Sequence, residues 1–337
     1  MALFERLASA LFGGGEKSAD SAAERALVSD TLEEVVTAVE PRVRMDSRYR
    51  RKLDGCIRTS IAHLRSLGRA PLEPVTLSRA AWASDPRVNA FFATADDVPG
   101  CLGRNPELRR FFDAAANVHL PEAYALLGMK KEERSVLGER DVTQAEISFS
   151  VHRIVAPAAT LAAARLEIGR RIVTRLAQLA LGRIVAADEK ATELAQHKAY
   201  LAARLRLLRL AQEGIEGVLR DPATIAQEMK AVERELDETV ADYIEAKAGG
   251  ATLDGYVQHI HDVFSHPAEH VTLTQTPLRV SRLGVRVEGD ASGPVNELEL
   301  AELSLGADFR AAIAIVRCPR AEMPTKEELI AQAERSL

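Results

Sequence analysis

The sequence predicts an α+β protein, mainly helical, in which a small antiparallel sheet is interrupted by a long antiparallel coiled-coil hairpin. Three observations carry this. Residues 184–219 repeat apolar side chains in steps of three and four, the spacing of a coiled-coil seam. "RDPAT" at 220–224 breaks that helix, and a second seam follows on its far side. Strand-like text stands both before and after the pair, so the hairpin reads as an insertion between strands of one sheet.

Taken in order, "MALFERLASALF" places Leu3, Phe4, Leu7, Leu11 and Phe12 on one helical face, and "GGGEKSADSA" reads as a flexible linker. Residues 1–19 are thus an amphipathic segment and its tether, and 20–121 a helical region. Two helices divided at Pro41 are expected up to Gly68. Met45, Tyr49, Leu53, Cys56, Ile57, Ile61 and Leu64 follow helical periodicity on the second. Short helices among turns follow; Asn105 is a cap and Pro106 a first-turn residue of the clearest one.

The α+β body is assigned to 122–157 plus 251–337. "AYALLGMKKEERSVLG" reads as a hairpin around its charged centre. In "AEISFSVHRIV", Ile147, Phe149 and Val151 alternate with Ser148, Ser150 and His152, a strand with one buried face that ends at Pro157. This strand is expected to pair with strands from 270–318. Among those, "FRAAIAIVRC" is apolar on both faces and so central. Thr325 and Glu328 form a capping box for a last helix.

Residues 158–250 hold the long helix and the hairpin. Its first seam runs Ile184, Ala187, Ala191, Leu194, Lys198, Leu201, Leu205, Leu208, Gln212, Ile215, Leu219; its second runs Ile225, Met229, Val232, Leu236, Thr239, Tyr243, Ala246. Residues 158–220 carry eleven basic and six acidic side chains, residues 222–248 three and seven. Folding back about Asp221 sets Arg204, Arg206 and Arg209 against Glu233, Glu235, Asp237 and Glu238, which favours the antiparallel arrangement. The apolar helix at 158–181 packs on the sheet or on a second copy of the chain.

Composition narrows function by exclusion. A net charge of −5 gives no global attraction to nucleic acid or anionic membrane. Cys56, Cys101 and Cys318 are too few and too scattered for a disulfide framework or a thiolate metal site, so reduced thiols in a cytoplasmic protein are expected. No run is long and apolar enough for a transmembrane span. No phosphate-binding glycine loop and no GxSxG elbow occur.

Three functional readings remain. The first is a non-enzymatic adaptor whose arm binds an unknown protein partner, with Leu201, Leu205, Leu208, Leu236 and Tyr243 building its seam and Arg204, Arg206 and Arg209 setting register or touching the partner. It needs no cofactor. The second is a hydrolase-like enzyme in which His259, Asp262 and His266, at i, i+3 and i+7 of "VQHIHDVFSHPAEH", hold a zinc-like ion; a solvated helix end explains the same letters. The third is a nucleic-acid binder using Arg42, Arg44, Arg48, Arg50, Arg51 and Lys52. Six acids in residues 20–40 offer self-neutralisation as the plainer account of that run.

Overall fold

The computed structural model describes residues 21–70, 72–137, 143–213, 222–287, 295–307, 309–325 and 328. The architecture is α+β, with a six-stranded sheet and a long helical hairpin that follows its third strand. The chain divides into two compact units. One takes the described residues up to Leu27, Ser60–Val173 and those from Pro267 onward; the other takes Val28–Thr59 and the described part of Thr174–His266. The amphipathic segment at 1–19 lies outside the described residues.

The first unit contains the sheet: β1 (Val75–Thr76), β2 (Glu122–Leu137), β3 (Thr143–Ala158), β4 (Val271–Ser281), β5 (Val295–Leu305) and β6 (Arg310–Pro319). Their order is β3-β2-β6-β5-β4, antiparallel throughout, with β1 added parallel to β6. As its two apolar faces require, β6 is central. Ala312, Ala314, Val316 and Cys318 enter one core with Leu127, Leu278, Val280 and Leu300. That core is closed by α3 (Arg79–Ser84), α4 (Pro86–Phe91), α5 (Asp97–Arg104) and α6 (Pro106–Asp113), which bring Phe91, Phe92, Leu102, Leu108 and Phe112. Asn105 caps α6 by accepting the Leu108 N–H at 2.8 Å, with Pro106 in its first turn. Ile313 and Ile315 face the other way, toward Leu64, Leu67, Ile168 and Ile172.

Several expectations are corrected. Residues 122–137 form one strand, not a hairpin. Past Met129, which still pairs with Ala312 of β6, the charged stretch pairs only with β3, in a ribbon where charged side chains are solvated. It is therefore β2 that joins the β4–β6 meander along its length, while among the described residues the 144–155 strand pairs with the 270–318 segment only where Glu146 bridges Val285. Pro157 does not end β3; it sits within it. Pro277 likewise sits within β4, and both are edge strands, where a missing donor is tolerated.

The alternation predicted for β3 holds only to Phe149. Its register against β2 then slips between Gly128 and Lys130, and Val151 takes a positive φ of 52°. This bulge turns Val151 out to solvent and moves the buried set to Ile154 and Ala156. The two sheet edges also meet at one end. The Ile147 N–H donates to Gly284 O at 2.8 Å and the Arg286 N–H to Ala145 O at 2.7 Å, while the Val287 N–H reaches Arg279 O at 2.9 Å. Gly284 has φ +81°, and a Cβ there would lie 2.6 Å from Ile147 O, so this join demands glycine.

The second unit is helical. It takes most of α1 (Ser21–Val39), a 3₁₀ turn (Pro41–Met45), the first half of α2 (Tyr49–Gly68), α7 (Leu161–Glu213) from Thr174 on, α8 (Pro222–Gly249) and α9 (Leu253–Ser265). The predicted face of α2 is buried from Tyr49 to Leu64; Met45, on the 3₁₀ turn, is exposed instead. After α9 the chain enters the first unit through α10 (Pro267–His270) and β4. The last predicted helix keeps its capping box, with reciprocal Thr325–Glu328 bonds of 2.8 and 3.2 Å; the rest of it lies outside the described residues. No described helix is long and apolar enough to cross a membrane.

Candidate functional site

The α7–α8 hairpin has two sides, and they differ in chemistry. Leu201, Leu205 and Val232 are buried in its seam, flanked by Leu208, Met229 and Leu236. The two helices run antiparallel: Arg209 pairs with Glu233 at 3.2 Å, and the Lys198 ammonium lies 4.4 Å from the Tyr243 ring centroid. Moving back along α7 therefore moves forward along α8. Ile225 and Thr239 are buried on the same side of α8, and Ile184 and Ala191 on α7. The described seam residues fall where their spacing predicts except Gln212, which is exposed; the turn about Asp221, with Ile215 and Leu219, lies outside the described residues.

The charge pairing is sparser than the sequence suggests. Of the three arginines only Arg209 meets an acid of α8. Glu235 is taken by His197 at 3.3 Å, and Arg204 and Arg206 are exposed with no ion pair among the described residues.

Facing away from the seam, α7 carries a second apolar stripe: Tyr200, Leu207 and Leu210 are exposed, Leu207 at 67%. With Ala203 they follow steps of three, four and three. At 3.6 residues per turn they occupy about a quarter of the helix circumference, with Arg204 on one flank and Arg206 on the other.

The basic run is covered by acids. Glu33 binds Arg44 at 3.1 Å and Arg50 at 2.6 Å, Glu40 binds Arg42 at 2.7 Å, and Asp46 holds Lys52 at 2.8 Å and, more loosely, Arg48 at 3.9 Å. Lys52 also reaches Asp254 at 2.6 Å. The Tyr49 hydroxyl, donating to Glu33, is the first cause of that carboxyl's lowered pKa. Arg51 alone of the six predicted residues has no ion pair among the described residues, so the run is a self-neutralised surface rather than a bare basic face.

The histidines of 257–270 do not converge. His259 turns inward: its Nε2 is buried without a hydrogen-bond partner among the described residues, and burial lowers its pKa. It packs on Gly250, where a Cβ would lie 2.7 Å from Nε2. His266 caps the end of α9, its Nδ1 3.0 Å from the Asp262 backbone oxygen. The Asp262 carboxylate accepts from Gln258 at 2.6 Å, and His261 Nδ1 stands 3.6 Å from it. Among the described residues no three His, Cys, Asp or Glu side chains are arranged to hold a metal ion. A helix end closing on a tight glycine contact accounts for the stretch.

No family model matches this chain, and comparison with curated proteins and with solved structures finds no match either. Sequence reasoning missed the outer stripe of α7, although its signal was present: Tyr200, Ala203, Leu207 and Leu210 repeat in heptad steps beside the stronger seam. Ser150 and His152, read as neighbours on one face, are separated by the bulge. His152 stacks on Phe92, ring centroids 4.5 Å apart, and is fixed by its Nε2–H donating to Phe91 O at 2.7 Å.

Proposed function

We propose that this protein is a non-enzymatic interaction protein whose hairpin docks an amphipathic helix of a protein partner on the outer face of α7. The exposed stripe of Tyr200, Leu207 and Leu210 carries the reading. Isolated surface leucines need no explanation, but a contiguous row at coiled-coil spacing offers knobs for a further helix. Arg204 and Arg206, unpaired on either flank among the described residues, complement acidic residues at the margins of such a helix. Arg209 has a different task, since its pairing with Glu233 helps fix the register of α7 against α8.

The test is cross-linking mass spectrometry on lysate from the source cells, comparing the full chain with a Leu207→Glu/Leu210→Glu variant. Both sites are exposed, so the variant should keep its helical circular dichroism. Cross-links from α7 to a partner helix with acidic flanks should appear with the wild type and vanish with the variant. Identical cross-links from both proteins would end the proposal, and cross-links only to a second copy of the chain would replace the partner with self-association.

A further inference from the structure

A second feature lies wholly within the first unit and has no part in the hairpin. A cleft of about 780 Å³ runs between residues 149–155 of β3 and the helical segment 92–110. Three exposed arginines, Arg104, Arg110 and Arg153, are among the residues that line it. None has an ion pair among the described residues; Arg110 donates only to the Pro106 backbone oxygen, at 3.2 Å.

The acids of the same cleft are already engaged. Glu107 accepts the Ala156 N–H at 3.0 Å and pairs with Arg171. Asp96 binds Arg79 at 3.0 Å. Asp97 accepts both the N–H and the hydroxyl of Thr94 at 2.8 Å. Two of these three carboxylates are thus matched by arginines from outside the lining, Arg79 and Arg171, the second shared with Glu167, while the three lining arginines have no ion pair among the described residues.

The backbone of the cleft wall is held in an uncommon conformation. Val151 and Ala156 are the two described non-glycine residues with positive φ, 52° and 58°, and each coincides with a slip in the β2–β3 register. A left-handed conformation is unfavourable for an L-residue and worse for a β-branched one. Such residues, and edge bulges that re-aim side chains, gather at binding sites. The bulges, Pro157 and the Asn105 amide bound to Ile154 O at 2.8 Å also make β3 a poor template for an added strand.

The remaining lining favours binding over reaction. Burial pushes the Cys101 thiol up to about 12, far from a thiolate nucleophile, and burial also lowers the pKa of His152, which stays neutral. Ser150 adds a hydroxyl, and Phe92 and Phe149 add apolar surface.

We propose that this cleft binds a small phosphorylated ligand of about nucleotide size, its phosphate held by Arg104, Arg110 and Arg153. Guanidinium forks match phosphate oxygens in pairs, which suits arginines that no carboxylate has claimed. The volume lies within the roughly 300–1,000 Å³ of small-molecule sites.

Calorimetric titration of the full chain at low salt with a nucleoside monophosphate, a sugar phosphate, inorganic phosphate and citrate tests this. A phosphate ester should bind with a sub-millimolar Kd that weakens as salt rises. The Arg104→Gln/Arg153→Gln variant should lose on the order of tenfold or more, the scale of lost charge-assisted hydrogen bonds; Arg51→Gln, outside the cleft, should lose nothing. No binding tighter than millimolar by any phosphate ester, equal affinity in the double variant, or citrate binding tighter than every phosphate ester would overturn the proposal. Should the double variant fail to fold, phenylglyoxal labelling of the wild type reads the same site. A phosphate ester should slow modification of Arg104 and Arg153 and leave Arg51 unchanged; unprotected labelling at all three would overturn it.

Discussion

Two apolar stripes run along the same stretch of α7 and meet opposite fates. Leu201 and Leu205 are buried against Val232 and Leu236 of α8; Tyr200, Leu207 and Leu210, interleaved with them in sequence, stay in water. The residue types are alike, so composition does not separate them. What separates them is a partner helix: one stripe already has its neighbour, and the other presents the same spacing to solvent. A buried leucine measures folding, whereas an exposed one in a regular row measures what the surface is prepared to meet. The sheet holds a parallel contrast between central β6, packed on both faces, and edge β3, whose bulges re-aim its side chains beside a cleft.

The largest effect expected from these contrasts is at the seam. Leu201→Ala should destabilise the protein by about 2–5 kcal/mol through lost burial and the cavity left behind. Leu207→Ala, six residues on, should stay within about 0.5 kcal/mol of wild type. Urea unfolding followed by circular dichroism measures both; similar losses would mean that the outer stripe is covered within the chain itself.

A smaller effect, opposite in sign from ordinary strand behaviour, is expected at the bulge. Val151→Gly removes a β-branched side chain from a left-handed position, so stability should hold or rise by up to ~1 kcal/mol. Val316→Gly in β6 removes a fully buried side chain and adds chain entropy, and should cost at least ~2 kcal/mol. Urea midpoints that fall equally in both variants would remove the claim of strain in β3.

The smallest effect belongs to His152. Burial holds its folded pKa below the ordinary value of 6.5, so as pH falls the unfolded chain takes up this proton first. Its contribution is complete above about pH 6.5 and declines as pH falls from there to the folded pKa. Relative to His152→Gln, which keeps a donor without the titration, the wild type should therefore lose stability between about pH 8 and pH 5. Parallel pH profiles for the two proteins would show that the imidazole is solvated rather than packed on Phe92.

Much of the fold was legible along the chain because its signals are periodic and local. The hairpin seam, the caps at Asn105 and Thr325, and the central place of β6 each follow from residues a few positions apart. The errors share another character. "KKEER" reads as a turn because charge avoids cores, yet β2 carries it beyond β6, where only β3 is alongside. Pro157 reads as a strand end because a central strand cannot lose a donor, yet β3 lies at an edge. The basic run of 42–52 reads as a patch only until Glu33, Glu40, Asp46 and Asp254 are brought to it. The cleft beside β3 leaves no linear trace, since Arg104, Arg110 and Arg153 meet there through pairing of separate elements.

The sequence by itself determined which segments are helix or strand and which faces are apolar, because periodicity and capping act through the backbone of neighbouring residues. Only the tertiary structure decided which apolar faces are covered, which charges are neutralised, and where the side-chain alternation of β3 changes phase. Those outcomes depend on desolvation and pairing between residues far apart in the chain, and a one-residue bulge is enough to exchange the buried and exposed sets.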